Sequence, residues 1–283
     1  MGVQNAFSNG DGNWRDTNRW NTASGGGGSN LTYDASDEVW HFIIESGDDI
    51  TVDGNVGCSS LTVYGTIVGN ASYVITTSSE GSGGGYGSGG YGEDGYAVRI
   101  NGSTNSNTNI TVGGTFDTKI DLDGTMGNLI LTGSGEKEFR GTPTVGGNVS
   151  IESSCDATCS GTVTINGNLT IASGCSYDTT SAGNHALTVG GNTVVDGTLN
   201  CNGSTIVCTA TVSGAGTINF MTSNFTANNN MGCGTLNVGT ATIDVADQFG
   251  EADEPITATG AATISCSRMY TSNFTSSTST VTI

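Results

Sequence analysis

Basic residues are scarce in this chain. Seven Lys and Arg stand against 26 Asp and Glu in 283 residues, a formal net charge of −19. A field of that sign repels phosphate backbones and anionic lipid, which argues against nucleic-acid and membrane-surface partners. Long apolar runs are also missing, so no segment reads as a membrane-spanning helix. Residues 1–30 lack a basic stretch followed by an apolar one, and the expectation is synthesis in the cytoplasm without a signal peptide. Helix-forming stretches rich in Ala, Leu, Glu and Lys are absent, and charged residues are only 12% of the chain, about half the usual share. The eight cysteines, at 58, 155, 159, 175, 201, 208, 233 and 266, include no C-x-x-C pair, and there are two histidines. A zinc site is therefore not expected, and the thiols read as small buried apolar groups, some of them open to disulfide pairing.

What remains is Gly, Ser, Thr and Asn around short runs of Val, Ile and Thr. Branched side chains favour strands, and Gly, Asn, Asp and Ser supply turns. One motif recurs: VDGNV from Val52, VGGTF from Val112, VGGNVSI from Val145, INGNLTI from Ile165 and VGGNTVV from Val189. Its asparagines Asn148, Asn168 and Asn192 are spaced by 20 and 24. Thr-Ile pairs ending at Ile218, Ile243, Ile264 and Ile283 suggest a second ladder. FMTSNFT from Phe220 returns as MYTSNFT from Met269, an offset of 49 read as two coils. Variable spacing near twenty residues fits a right-handed parallel β-solenoid, in which each coil buries its apolar residues only by stacking on its neighbours. Residues 49–283 then give roughly ten coils and about 50 Å of stack at the strand spacing. An antiparallel sandwich or jelly roll is the alternative. Alternation places Val163, Ile165, Leu169 and Ile171 inward and the threonines outward.

Two segments fall outside the period. Residues 1–48 hold Trp14, Trp20 and Trp40 and read as an aromatic cap over the first coil. Residues 77–95, TSSEGSGGGYGSGGYGEDG, read as a protruding loop. Within and just after it, Tyr86, Tyr91 and Tyr96 are spaced by five and are candidate binding residues for sugar or protein. GGYGEDGYA, Gly89–Ala97, matches one copy of a calcium-binding nonapeptide that normally works in tandem, so Asp94 is a candidate calcium ligand. Asp121 and Asp123 are further candidates. Asp117, Lys119 and Asp121 share a face if their strand is regular, and paired carboxylates are what glycosidases use. Other acidic clusters are Asp48 with Asp49, and Glu251 with Asp253 and Glu254. No nucleophile motif accompanies any of them, so surface carboxylates are the preferred reading and no catalytic residue or cofactor is expected beyond that calcium.

The order GDGNWRDTNRW, then DEVWHFII, then GDDITVDGNV resembles the entry region of Gly/Thr/Asn-rich β-helical proteins of bacteriophage particles: tail fibres, tailspikes and capsid decoration proteins. Large bacterial surface adhesins are similar. The chain departs from the pattern in carrying SGGGGSN where a proline usually stands. The resemblance implies a non-enzymatic structural protein of a virion, made in the host cytoplasm, homo-oligomeric, and able to touch host surface polysaccharide. A tailspike-like polysaccharide-degrading enzyme and a cell-surface adhesin are the alternatives. The chain stops on TSSTSTVTI, a bare ladder repeat, and that open coil is the expected docking edge for another subunit or virion protein.

Overall fold

The structure, a computed structural model, describes residues 4–31, 40–69, 72–77, 96–100, 103–104, 108–114, 117–122, 125–180, 183–250, 255–258, 260–270, 273–276 and 278–283. The chain is a parallel β-solenoid of about 10 turns. It divides into two compact units, Met1–Gly147 and Asn148–Ile283.

In the first unit, the coils from Trp40 onward each contribute short strands to three faces in turn. The longest sheet places Asn30–Leu31, Trp20–Asn21, Gln4–Ser8, Trp40–Ile44, Ser60–Val63, Tyr96–Ile100, Thr118–Leu122 and Lys137–Arg140 side by side. Gln4–Ser8 (β1) and Gly12–Asn13 (β2) already run parallel to Trp40–Ile44 and Asp49–Thr51, so coiling starts well before residue 49. Antiparallel pairing is confined, among the described residues, to Trp20–Asn21 (β3), which joins β1 on one side and Asn30–Leu31 (β4) on the other. This excludes the sandwich. The two antiparallel strands form the outer edge of the long sheet, and Trp14 and Trp20 lie fully buried beside them. Their rings are 4.8 Å apart and both pack on Phe42, at 5.1 and 4.5 Å. The Trp20 indole N–H donates to the Trp14 carbonyl at 2.8 Å. The third tryptophan of the expected cap, Trp40, is half-buried on its strand, and the three-ring cluster takes Phe42 instead.

The second unit repeats the plan. Its long sheet runs Asp156–Cys159, Ser176–Asp178, Thr198–Asn200, Thr217–Asn219, Thr235–Val238, Pro255–Ala258, Asn273–Ser276. A second sheet runs Val163–Ile165, Leu187–Val189, Thr205–Cys208, Asn224–Ala227, Thr242–Phe249, Thr263–Met269, Thr280–Thr282. The third runs Val149–Ile151, Leu169–Ile171, Thr193–Val195, Val212–Ser213. Strand after strand shows buried–half-buried–buried alternation, with Val163, Ile165, Leu169 and Ile171 inward as the sequence predicts.

Coil length varies from 17 to 24 residues in the second unit, as the separation of paired residues records, Thr263 with Thr280 at the short end and Asn168 with Asn192 at the long end. One coil of the first unit is longer: Tyr73 and Asn109, 36 residues apart, are neighbours. The stretch read as an insertion lies outside the described residues from 78 to 95, between strands Val74–Thr77 and Tyr96–Ile100. Such looseness is possible because corners need only a chain reversal, while the strands fix the stack. Where coils crowd, glycine is required. A Cβ on Gly197 would sit 2.3 Å from the Cys175 carbonyl oxygen and 2.4 Å from that of Ala172.

The second expected ladder is rearranged. Ile218 belongs to the long sheet, in register with Leu199 and Leu236. Ile243 and Ile264 pair in the other sheet, and their next partner is Val281. Ile283 lies outside, 77% exposed. The two TSNFT copies also part company: Asn224–Ala227 joins one sheet and Asn273–Ser276 the other, so the offset of 49 is not two coils.

Candidate functional site: turn oxygens and outer faces

The carboxylates and carboxamides at the coil corners have a common use. A side-chain oxygen accepts a backbone N–H of a neighbouring coil. Asn148 accepts from Asn168 and Asn168 from Asn192, each at 2.8 Å. Asn55 accepts from Val74 at 3.0 Å, Asp117 from Glu136 at 2.9 Å, Asn184 from Gly203 at 3.2 Å and Asp196 from Ala215 at 3.0 Å. At the start of the chain, Asp11 accepts from Asp49 at 2.8 Å, Asp48 from Gly10 at 3.2 Å and Asp53 from Arg15 at 3.2 Å. Asp48 also accepts the Ser8 hydroxyl. Hydrogen bonds from its own turn, first among them the Asn13 N–H, hold the Asp16 carboxyl below the usual aspartate range. Much of the acidity is therefore architectural: corners need acceptors, and Asp serves as Asn does.

The Asp117–Asp121 segment is partly as the sequence suggests. Thr118, Ile120 and Leu122 point inward, and Lys119 and Asp121 share the outer face. Asp117 is tied to Glu136. Asp121 is in register with Arg99 on one side and Arg140 on the other, and its carboxylate lies 3.4 Å from the Arg99 guanidinium. Arg140 makes a 2.7 Å ion pair with Glu138, which is in register with Lys119. No pattern in the chain signals these cross-coil partners, since Arg99 and Arg140 lie about twenty residues away on either side. The face is a column of alternating charge, and alternation neutralises it; a glycosidase needs two carboxylates facing a free substrate groove. Asp94, Asp123, Tyr86, Tyr91, Glu251, Asp253 and Glu254 lie outside the described residues. Tyr96 begins a strand in register with Lys119. No group of three His, Cys, Asp or Glu side chains suited to a metal occurs among the described residues.

No family model, no curated protein and no solved structure matches the chain.

All eight cysteines are buried, and none forms a disulfide. Burial pushes the Cys58 thiol up to about 12 and the Cys208 thiol up to about 11, and raises Cys201 as well. Thiols so placed are poor nucleophiles. Lys137, which no pattern in the sequence singled out, is fully buried, and its ammonium donates to the Gly135 carbonyl at 2.9 Å and the Gly114 carbonyl at 3.3 Å. His41 is buried on β5 (Trp40–Ile44), with Ser60 Oγ against Nδ1 and Thr62 Oγ1 3.2 Å from Nε2. Desolvation lowers its pKa to about 4.

Two outer faces of the second unit differ in how their side chains are used. On the long sheet, Asn200, Asn219 and Asn237 are in register; the Asn219 amide donates to the Asn200 oxygen and the Asn237 amide to the Asn219 oxygen, each at 2.7 Å. On the second sheet, Thr205, Asn224, Thr242, Thr263 and Thr280 are in register and all exposed. Beside them runs a column of Val207, Thr226, Asp244, Ser265 and Thr282. The side chains of this second pair of columns have no hydrogen-bond partner among the described residues.

Proposed function

We propose that this protein is a non-enzymatic structural subunit of a virus particle, of the phage fibre or capsid decoration type. The observation that carries the reading is the corner bonding. Asn and Asp oxygens that could serve chemistry are spent joining one coil to the next, which stiffens the stack of coils. The neutralised Asp121 column and the unreactive thiols agree with a load-carrying role. The entry-region resemblance supplies the particle type. In this reading the subunit is a homo-oligomer in the virion, docks other virion proteins and touches host surface polysaccharide. No cofactor takes part, and calcium at the Gly-rich insertion remains the one ion to test.

The test is to identify the protein by mass spectrometry and gold labelling in gradient-purified particles. Presence at a fixed copy number supports the reading. Display on a bacterial surface with none in particles replaces it with the adhesin. New reducing ends from host polysaccharide, abolished by Asp121→Asn, replace it with the tailspike-like enzyme.

A further inference from the structure

We propose that the exposed hydroxyl face of the second unit's second sheet binds ice. The face is fixed in two dimensions. Along the stack its side chains repeat at the strand spacing of about 4.8 Å, and along each strand, from residue i to i+2, at about 6.7 Å. Register is unbroken from Thr205 to Thr280; the single shift recorded between these strands comes after Val245, beyond both columns. Exposed surface oxygens of hexagonal ice lie on a rectangular net of similar dimensions.

The chemistry points the same way. Threonine carries a hydroxyl and a methyl on one stiff χ1 bond, so both are held in place before any contact. The hydroxyl can take a lattice position, and the methyl orders the water around it. The contrast with the Asn200–Asn219–Asn237 ladder is decisive: those amides are consumed by one another, whereas the exposed threonines are spent on nothing. Other partners fit poorly. A protein partner wants aromatic or Arg anchors in a desolvated centre, and the two columns hold neither. Their one charged residue, Asp244, is an acid, which disfavours nucleic acid. No aromatic ring stands in either column for a sugar to stack on. This inference is independent of the virion reading.

The experiment grows an ice ball slowly in a solution of the full-length protein and compares protein in ice with protein left in the liquid. A recrystallisation assay runs alongside. The variants are Thr242→Lys with Thr263→Lys on the face, and Ser173→Lys on an exposed corner as control. The expected result is enrichment in ice and arrested crystal growth for the wild type and the control. The double variant should lose both while keeping the wild-type melting curve by circular dichroism. If the double variant does not fold, Thr280→Lys, on the last strand of the sheet, takes its place with the same expected loss. Exclusion of the wild type from ice with normal recrystallisation overturns the proposal, as does full activity in a folded face variant.

Discussion

The carboxamide oxygen of Asn148 accepts the backbone N–H of Asn168 at 2.8 Å, and the oxygen of Asn168 accepts that of Asn192 at the same distance. Spacings of 20 and 24 residues in sequence thus become one repeated bond in space. Replacing Asn168 by Ala leaves the Asn192 N–H without its acceptor and should cost about 1 kcal/mol. Asn168→Asp keeps the oxygen and should cost less. Urea unfolding of the three proteins side by side checks the order.

His41 makes the fold sensitive to acid. The folded pKa of about 4 lies below the ordinary value of 6.5. Between these values the unfolded chain binds the proton and the folded chain does not. The stability contributed by the neutral imidazole is therefore full above pH 6.5 and is lost as pH falls toward 4. The loss approaches about 3 kcal/mol. Melting temperature against pH should fall across that window, and His41→Gln should flatten the fall. An unchanged slope in the variant would show that other groups are responsible.

Gly197 tests how tightly the corners stack. An added Cβ would meet two carbonyl oxygens at 2.3 and 2.4 Å, which belong to the backbone and have little room to yield. Gly197→Ala should destabilise the second unit by about 1–3 kcal/mol, as overpacking does. The same change at Gly27, where nothing lies within 4 Å, should be nearly neutral.

The aromatic cluster should dominate the stability of the first unit. Trp20 is fully buried between Trp14 and Phe42, and its N–H bond to Trp14 is internal. Trp20→Ala should cost about 3–5 kcal/mol. Loss of a blue-shifted indole emission and a lower unfolding midpoint are the readouts.

The thiols provide a check on packing. Burial alone raises Cys58, and it is the largest cause for Cys201 and Cys208. Native protein should react with a thiol reagent only slowly at neutral pH, and release all eight groups on unfolding. Cys266, 6% exposed where the others are at most 3%, should react first.

The class of fold is legible in the order of residues. Branched residues at every second position say which side chains face inward, and Gly, Asn and Asp at intervals near twenty say where coils turn. Leu169 and Ile171 could be placed inside from that alone. The tertiary structure decided which of three sheets each repeat joins. Locally the faces look alike, so TSNFT at Asn224 and at Asn273 read as one motif yet stand in different sheets. Coil lengths of 17 to 24 residues, and 36 between Tyr73 and Asn109, reset the register each time. Partners across coils, such as Arg99 for Asp121, therefore could not be read in advance. Nor could the burial of His41 and Lys137, because a side chain's burial depends on what the neighbouring coils lay over it. The corner asparagines mark the meeting of the two. Their spacing was visible in the chain, and its cause, an oxygen reaching the next coil's N–H, exists only once the coils are stacked.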